Sequence, residues 1–310
     1  MEQEKEPIWK WALFWFIVIF IFTQIFDVDI RFKPRFGGKK LLTADVAKNQ
    51  NQNQSAGASD LEKIVLPADG IVLPIRWGDL GRQMVDTGVI DSKKFEELYA
   101  NRGGFTAEMK KMLYEDSKDQ IVMTEQNAPY LLNLLWAFGL GNKNDVLENG
   151  PISDPKYGGA GGFAATGGWT LARGNPMDHF NKHEFVRLTQ DQQALVERVA
   201  KNIYRPCCGN STYFPDCNHG MAMFGLLELM AARGVSENDM YKVALQVNSY
   251  WFPDTYLTIA KVIKDGGGDW REVDPKAILG AEYSSAQGFQ KIRQKTAPQQ
   301  PRSGGGGCGA

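Results

Sequence analysis

From Gly78 to Lys295 the chain repeats one arrangement: a residue able to cap a helix, apolar residues three and four apart, then glycine or proline. This pattern restricts the fold more than any other feature, because a period of about 3.6 residues cannot form a strand without sending apolar side chains to both faces. Helices are expected over Asp79 to Asp86, Ser92 to Ala100 and Thr106 to Glu115, and from Pro129, in a first turn, to Gly139. The last is apolar nearly all round and belongs at the centre of a domain. Asn175-Pro176 opens a further helix carrying His179 and His183 on one face. Thr189-Gln-Asp-Gln192 is a capping box for a helix through Ile203 that Pro206 ends. Helices over Cys217 to Ala232, from Ser236 to Tyr250 and over Thr255 to Ile263 follow, with weaker pieces at Pro275 to Leu279 and Ser284 to Lys295. The fold class is therefore mainly α: an irregular helical domain over 60–295 with long Gly-rich loops. Ile64 to Ile75, around Asp69-Gly70, is the one hairpin expected, and Pro67 and Pro74 confine it to an edge.

Ahead of this domain, residues 11–28 read as a single transmembrane anchor. Trp11 to Phe26 is interrupted only by Thr23 and Gln24, and extension from Trp9 to Val28 reaches the ~30 Å of a hydrocarbon core. No small-residue cleavage site follows, so the segment is expected to stay attached as an uncleaved anchor. Residues 1–10 form a short N-terminal tail. Residues 29–59 combine a basic flank (Arg31, Lys33, Arg35, Lys39, Lys40) with a Gln/Asn-rich tether that cannot bury apolar area. The basic flank alone would keep the domain in the cytoplasm. A short tail, one anchor, a polar tether and a long domain is instead the layout of exported proteins, and a single-pass cell-membrane protein with an extracytoplasmic domain is expected. Residues 296–310 form a disordered Gly-rich tail containing Cys308. A net charge of −1 leaves no basic excess to displace counterions, so nucleic acid is not an expected partner; the membrane and a metal ion are.

Chemistry is concentrated between residues 179 and 219, which hold all three histidines and every cysteine except Cys308. The run Arg205-Pro-Cys-Cys-Gly-Asn210 is followed by Pro215-Asp-Cys-Asn-His-Gly220. Cys207, Cys208, Cys217 and His219 make a Cys3His set suited to tetrahedral zinc. They converge if 207–216 is an irregular loop and Cys217 precedes the first helical turn. If the helix begins at Cys217, that residue pairs with Met221, and His219 with Met223, a thioether-rich set suited to Cu(I). His179 and His183 would supply a second half. The cofactor expected is accordingly a zinc or copper ion. A Cys208–Cys217 disulfide is the structural alternative, and a thiol-redox role for the vicinal pair Cys207-Cys208 is another.

Other chemistries fit less well. His179 and His183 have zincin spacing, but Phe180 stands where the glutamate should directly follow the first histidine. Gly158 to Gly162 and Gly167-Gly168 lack the flanking strand and the Gly-Lys-Ser/Thr of a phosphate loop, and read as irregular surface. Asp178, Glu184 and Asp216 read as helix caps or groups supporting the site. The Pro206-Cys207-Cys208-Gly209 core, with the later Cys217 and His219, loosely resembles exported bacterial proteins bearing a PCYCGC motif. It lacks the tyrosine between the cysteines and the cysteine after glycine. The resemblance covers about twenty-five residues; it implies an extracytoplasmic metal or thiol site and no particular reaction.

Overall fold

The computed structural model describes residues 60–294. The expected anchor, tether and tail lie outside them. Among the described residues no helix is long and apolar enough to cross a membrane.

The described chain is mainly helical, as its periodicity requires. Two short strands, β1 (Ile71–Leu73) and β2 (Ile121–Met123), pair antiparallel with Ile71 opposite Met123. The expected hairpin around Asp69-Gly70 is not formed. Ile64 and Val65 belong to a helical turn ending in Leu66 N–H bonded to the Glu62 carbonyl, and Pro67 has no N–H to offer a ladder. β1 finds its partner some fifty residues on instead.

Between and after the strands come α1 (Leu80–Thr87), α2 (Ser92–Ala100), α3 (Ala107–Tyr114) and α4 (Ala128–Gly141). The Asp91 and Thr106 side chains cap α2 and α3 as their positions require, and Pro129 sits in the first turn of α4. A short α5 (Asp145–Asn149) leads into an irregular stretch with 3-10 turns at Pro151–Ser153, Pro155–Tyr157, Ala160–Gly162 and Pro176–Asp178. Regular helix resumes with α6 (Gln190–Ala200), opened by both reciprocal bonds of the Thr189/Gln192 capping box. Then follow α7 (Asn218–Ala232), α8 (Glu237–Trp251), α9 (Pro253–Asp265), α10 (Pro275–Leu279), α11 (Ala281–Ser284) and α12 (Ala286–Arg293).

Two helices form the centre. α4 and α7 pack on each other more extensively than any other pair, and α7 is buried from Asn218 to Ala231. They meet glycine to glycine: a Cβ on Gly139 would lie 2.4 Å from the Met221 carbonyl oxygen, and one on Gly225 would lie 2.7 Å from that of Leu135. Backbones this close exclude any larger residue at the crossing. One acid lies inside this interface. Glu228 is fully buried, and its Oε1 accepts from the Asn142 and Asn144 side-chain amides, 2.8 Å each. Its Oε2 has no hydrogen-bond partner among the described residues, and burial raises its pKa to about 8.

The helix expected to carry His179 and His183 is replaced by a 3-10 turn at Pro176–Asp178 and further turns up to the single bridge at His183. Asn181 takes a left-handed backbone (φ 54), which no helix interior tolerates. The backbone N–H of Asn181 then donates to the Leu140 carbonyl at 2.9 Å, and that of His183 to Gly141 at 2.8 Å. The last carbonyls of α4 need partners, and this segment supplies them.

Candidate metal centre

The three clustered cysteines are delivered by a loop and a helix start. After α6 ends, Tyr204 and Ser211 form an antiparallel bridge that closes a loop with Cys207 and Cys208 at its tip. Two backbone bonds tie that loop to late parts of the chain: Tyr204 N–H to the Leu279 carbonyl at 2.8 Å, and Ala286 N–H to the Cys208 carbonyl at 2.9 Å. Cys217 is the N-cap of α7, with extended backbone (φ −121, ψ 165), and its sulfur accepts the Gly220 N–H at 3.4 Å. It thus precedes the first turn, the arrangement in which the pairs converge, and it faces the positive end of the helix dipole.

The sulfurs do converge. Cys207 Sγ is 3.4 Å and Cys208 Sγ 3.9 Å from Cys217 Sγ, and all three lie within 4.8 Å of one another. All three are free thiols, so no Cys208–Cys217 disulfide is present. Tetrahedral zinc with Zn–S bonds of ~2.3 Å has edges of ~3.8 Å, close to these spacings. His219 stands beside the cluster: its Nδ1 is 4.0 Å from Cys207 Sγ, and its ring packs on Phe252 at 4.4 Å and edge-on to Trp251 at 5.9 Å between centroids. Burial pushes its pKa down to about 4, so at neutral pH it presents an uncharged imidazole, the form that binds metals.

A buried arginine organises the charge. Arg205 is 1% exposed. Its Nε donates to Cys217 Sγ at 3.0 Å and its Nη2 to Asp216 Oδ1 at 2.5 Å; Nη1 and Nη2 also donate to the Asn210 and Phe214 carbonyls, 3.0 Å each. Gly220 makes room for it, since a Cβ there would lie 2.5 Å from the guanidinium carbon. Hydrogen bonds from the Cys207 and Cys208 thiols, together with Arg205, hold Cys217 well below the ordinary thiol value. Bonding to Cys208 and Cys217 pushes the Cys207 thiol up. For Cys208 the bond with Cys207 acts downward, yet the bond to Cys217 and burial leave it raised, to about 12. Of the three sulfurs, the surroundings therefore favour the negative charge on Cys217.

That distribution has a simple electrostatic consequence. Thiolate Cys217 and carboxylate Asp216 against Arg205 leave one net negative charge. A divalent ion that displaces the two remaining thiol protons leaves that net charge unchanged, so uptake adds no uncompensated buried charge.

The other sequence-derived candidates lie elsewhere. Met221 and Met223 are buried in the hydrophobic core, and because Cys217 caps α7 and does not begin it, the condition for the thioether pairing is not met. His179 and His183 face each other at the C-terminal end of α4, where His183 bridges to Asn142. Asn142 in turn bonds Glu228, nine residues beyond His219 along α7, or ~14 Å of helix. The group whose ligand atoms all lie within 4.8 Å of one another is Cys207, Cys208 and Cys217 alone; His219 touches its edge through Cys207, and the histidine pair is not part of it. Arg205 is the residue that sequence reading passed over. An arginine beside two cysteines reads as solvent-exposed, and only the loop's return through Asp216 shows it to be enclosed. No protein-family model, characterised protein or solved structure matches this chain.

Proposed function

We propose that this chain is a membrane-anchored protein that binds or handles zinc or copper, with residues 11–28 as the anchor and the helical domain outside the cytoplasm. The supporting observation is the convergence of three unbonded sulfurs within 4.8 Å, one of them a helix cap that accepts from a buried arginine. His219, neutral and adjacent, is the proposed fourth ligand; Cys207, exposed, is the entry point for the ion. The apolar run and the resemblance to exported cysteine-motif proteins support the location.

Elemental analysis of the full chain purified without chelator tests the reading. Cys217→Ser is expected to lower the zinc or copper content by one equivalent per chain; metal-free parent protein, or an undiminished content in that variant, refutes it. A thiol-redox reading has its own support, because the exposed Cys207 lies 3.4 Å from the ionised Cys217. It pairs Cys207 with Cys217 rather than with its neighbour Cys208. Thiol counts before and after exposure to a disulfide oxidant separate the two: a redox pair loses two thiols reversibly, and a loaded metal site resists.

A further inference from the structure

The two histidines outside the cysteine cluster are arranged for a purpose that the proposed function does not use. His179 Nε2 lies 2.9 Å from the Arg173 carbonyl. A carbonyl only accepts, so Nε2 carries the proton and Nδ1 is left with a bare lone pair. That Nδ1 faces His183 Nε2 at 3.3 Å. The ring centroids are 5.5 Å apart, about this distance plus two ring radii, so the nitrogens point at each other and no side chain intervenes.

Fixing of the remote nitrogen by a backbone carbonyl is the usual orientation of a metal-bound histidine. Two imidazoles on a tetrahedral ion at ~2.05 Å have nitrogens roughly 3.3 Å apart. The support is rigid on one side and open on the other. His179 is 8% exposed and follows a 3-10 turn, whereas His183 is half-buried. Its backbone is held at both ends, N–H to Gly141 and carbonyl to the Lys143 N–H at 2.7 Å. In the ion-free pair the His183 Nε2–H donates to His179 Nδ1. An ion takes that place once the rings tilt towards solvent and His183 changes tautomer, its proton passing through water from Nε2 to Nδ1.

We infer that His179 and His183 form a second site for a divalent late transition-metal ion, bound through His179 Nδ1 and His183 Nε2, with water filling the remaining positions. Imidazole nitrogen suits Zn2+, Ni2+ and Cu2+ rather than Mg2+ or Ca2+. This site does not depend on the cysteine centre.

The test is a Zn2+ titration of the full chain carrying Cys207→Ser and Cys208→Ser, which removes the cysteine centre. Calorimetry gives stoichiometry and affinity, and 15N-edited imidazole spectra report the ligating nitrogens. One equivalent of Zn2+ should bind, shifting His179 Nδ1 and His183 Nε2 while His179 Nε2 keeps its proton. His183→Ala should weaken binding beyond the roughly 10–100-fold that loss of an outer partner costs. If that variant is misfolded by circular dichroism, the imidazole shifts of the unsubstituted pair decide. No binding, equal affinity in His183→Ala, or shifts at His219 instead would overturn the inference, and each of these results leaves the cysteine centre to be judged separately by its own metal content.

Discussion

Glu228→Gln isolates the charge state of the acid buried between α4 and α7. The Glu228 carboxyl has an ordinary pKa of 4.5 and one raised to about 8 in the folded chain, where burial outweighs the two asparagine amides. Between those values the folded state holds a proton that the unfolded chain has released. The unfolded state binds fewer protons there, so stability falls as pH rises from 4.5 towards 8 and levels off above. At ~1.4 kcal/mol per unit the fall has a ceiling of about 5 kcal/mol. Glutamine keeps an oxygen to accept from Asn142 and Asn144 but cannot ionise. At pH 5 the variant should match the parent within ~1 kcal/mol, as expected for an isosteric neutral group. At pH 8.5 it should be more stable by about 3–5 kcal/mol. His219, whose pKa is depressed to about 4, adds stability as pH rises through the acid range, but equally in both proteins. The difference between their profiles therefore reports Glu228 alone. Urea unfolding of the full chain, followed by tryptophan fluorescence at half-unit steps from pH 5 to 8.5, measures it. Parallel profiles, or a variant less stable than its parent at pH 8.5, would refute the buried protonated acid.

Three further outcomes follow from the site and the core. Zinc binding near pH 7 should release two protons per ion, from Cys207 and Cys208, because Cys217 is already ionised and His219 already neutral; calorimetry in buffers of different ionisation enthalpy counts them, and three would mean that Cys217 begins as a thiol. Arg205→Met should raise the Cys217 pKa, read from thiolate ultraviolet absorbance, and destabilise the fold by ~3–5 kcal/mol by leaving Asp216 without its cation; an unchanged thiolate titration would show that the guanidinium does not hold it. Gly225→Ala should lower stability by at least ~1–3 kcal/mol in urea, since its methyl meets the Leu135 backbone and not a side chain that can move; a neutral effect would mean that α4 and α7 separate readily.

What could be read from the sequence follows how far apart the interacting residues are. The Thr189/Gln192 box, the Ser236 cap and the Pro129 helix start are settled within four residues and form as expected, while Asp91, one residue before the expected start at Ser92, caps α2. Cys217 as a cap outside the first turn is local in the same way. The errors arise where a distant partner decides. Residues 181–183 leave their helical pattern because the end of α4 needs donors, and β1 pairs with the distant β2 because the residues before its turn are helical and Pro67 offers no N–H. Arg205 and Glu228 are ionisable residues in segments that give no local sign of their enclosure. The clustering of the cysteines was visible in their spacing, but the single ionised sulfur depends on an arginine whose position only the closed loop defines.

The two backbone bonds that tie the cysteine loop to Leu279 and Ala286 also bear on the order in which the protein is made. Synthesis runs from the N-terminus, so Cys207, Cys208 and Cys217 emerge some seventy residues before the residues that hold their loop in place. Through that interval the sulfurs are unclaimed nucleophiles on an incomplete chain. An oxidant or ion that meets them early acts on a loop with no fixed shape, and one that meets them after Ala286 has docked finds a finished cradle. If the proposed ion is to enter a formed cradle, it does so only after Leu279 and Ala286 have docked, late in the making of the chain.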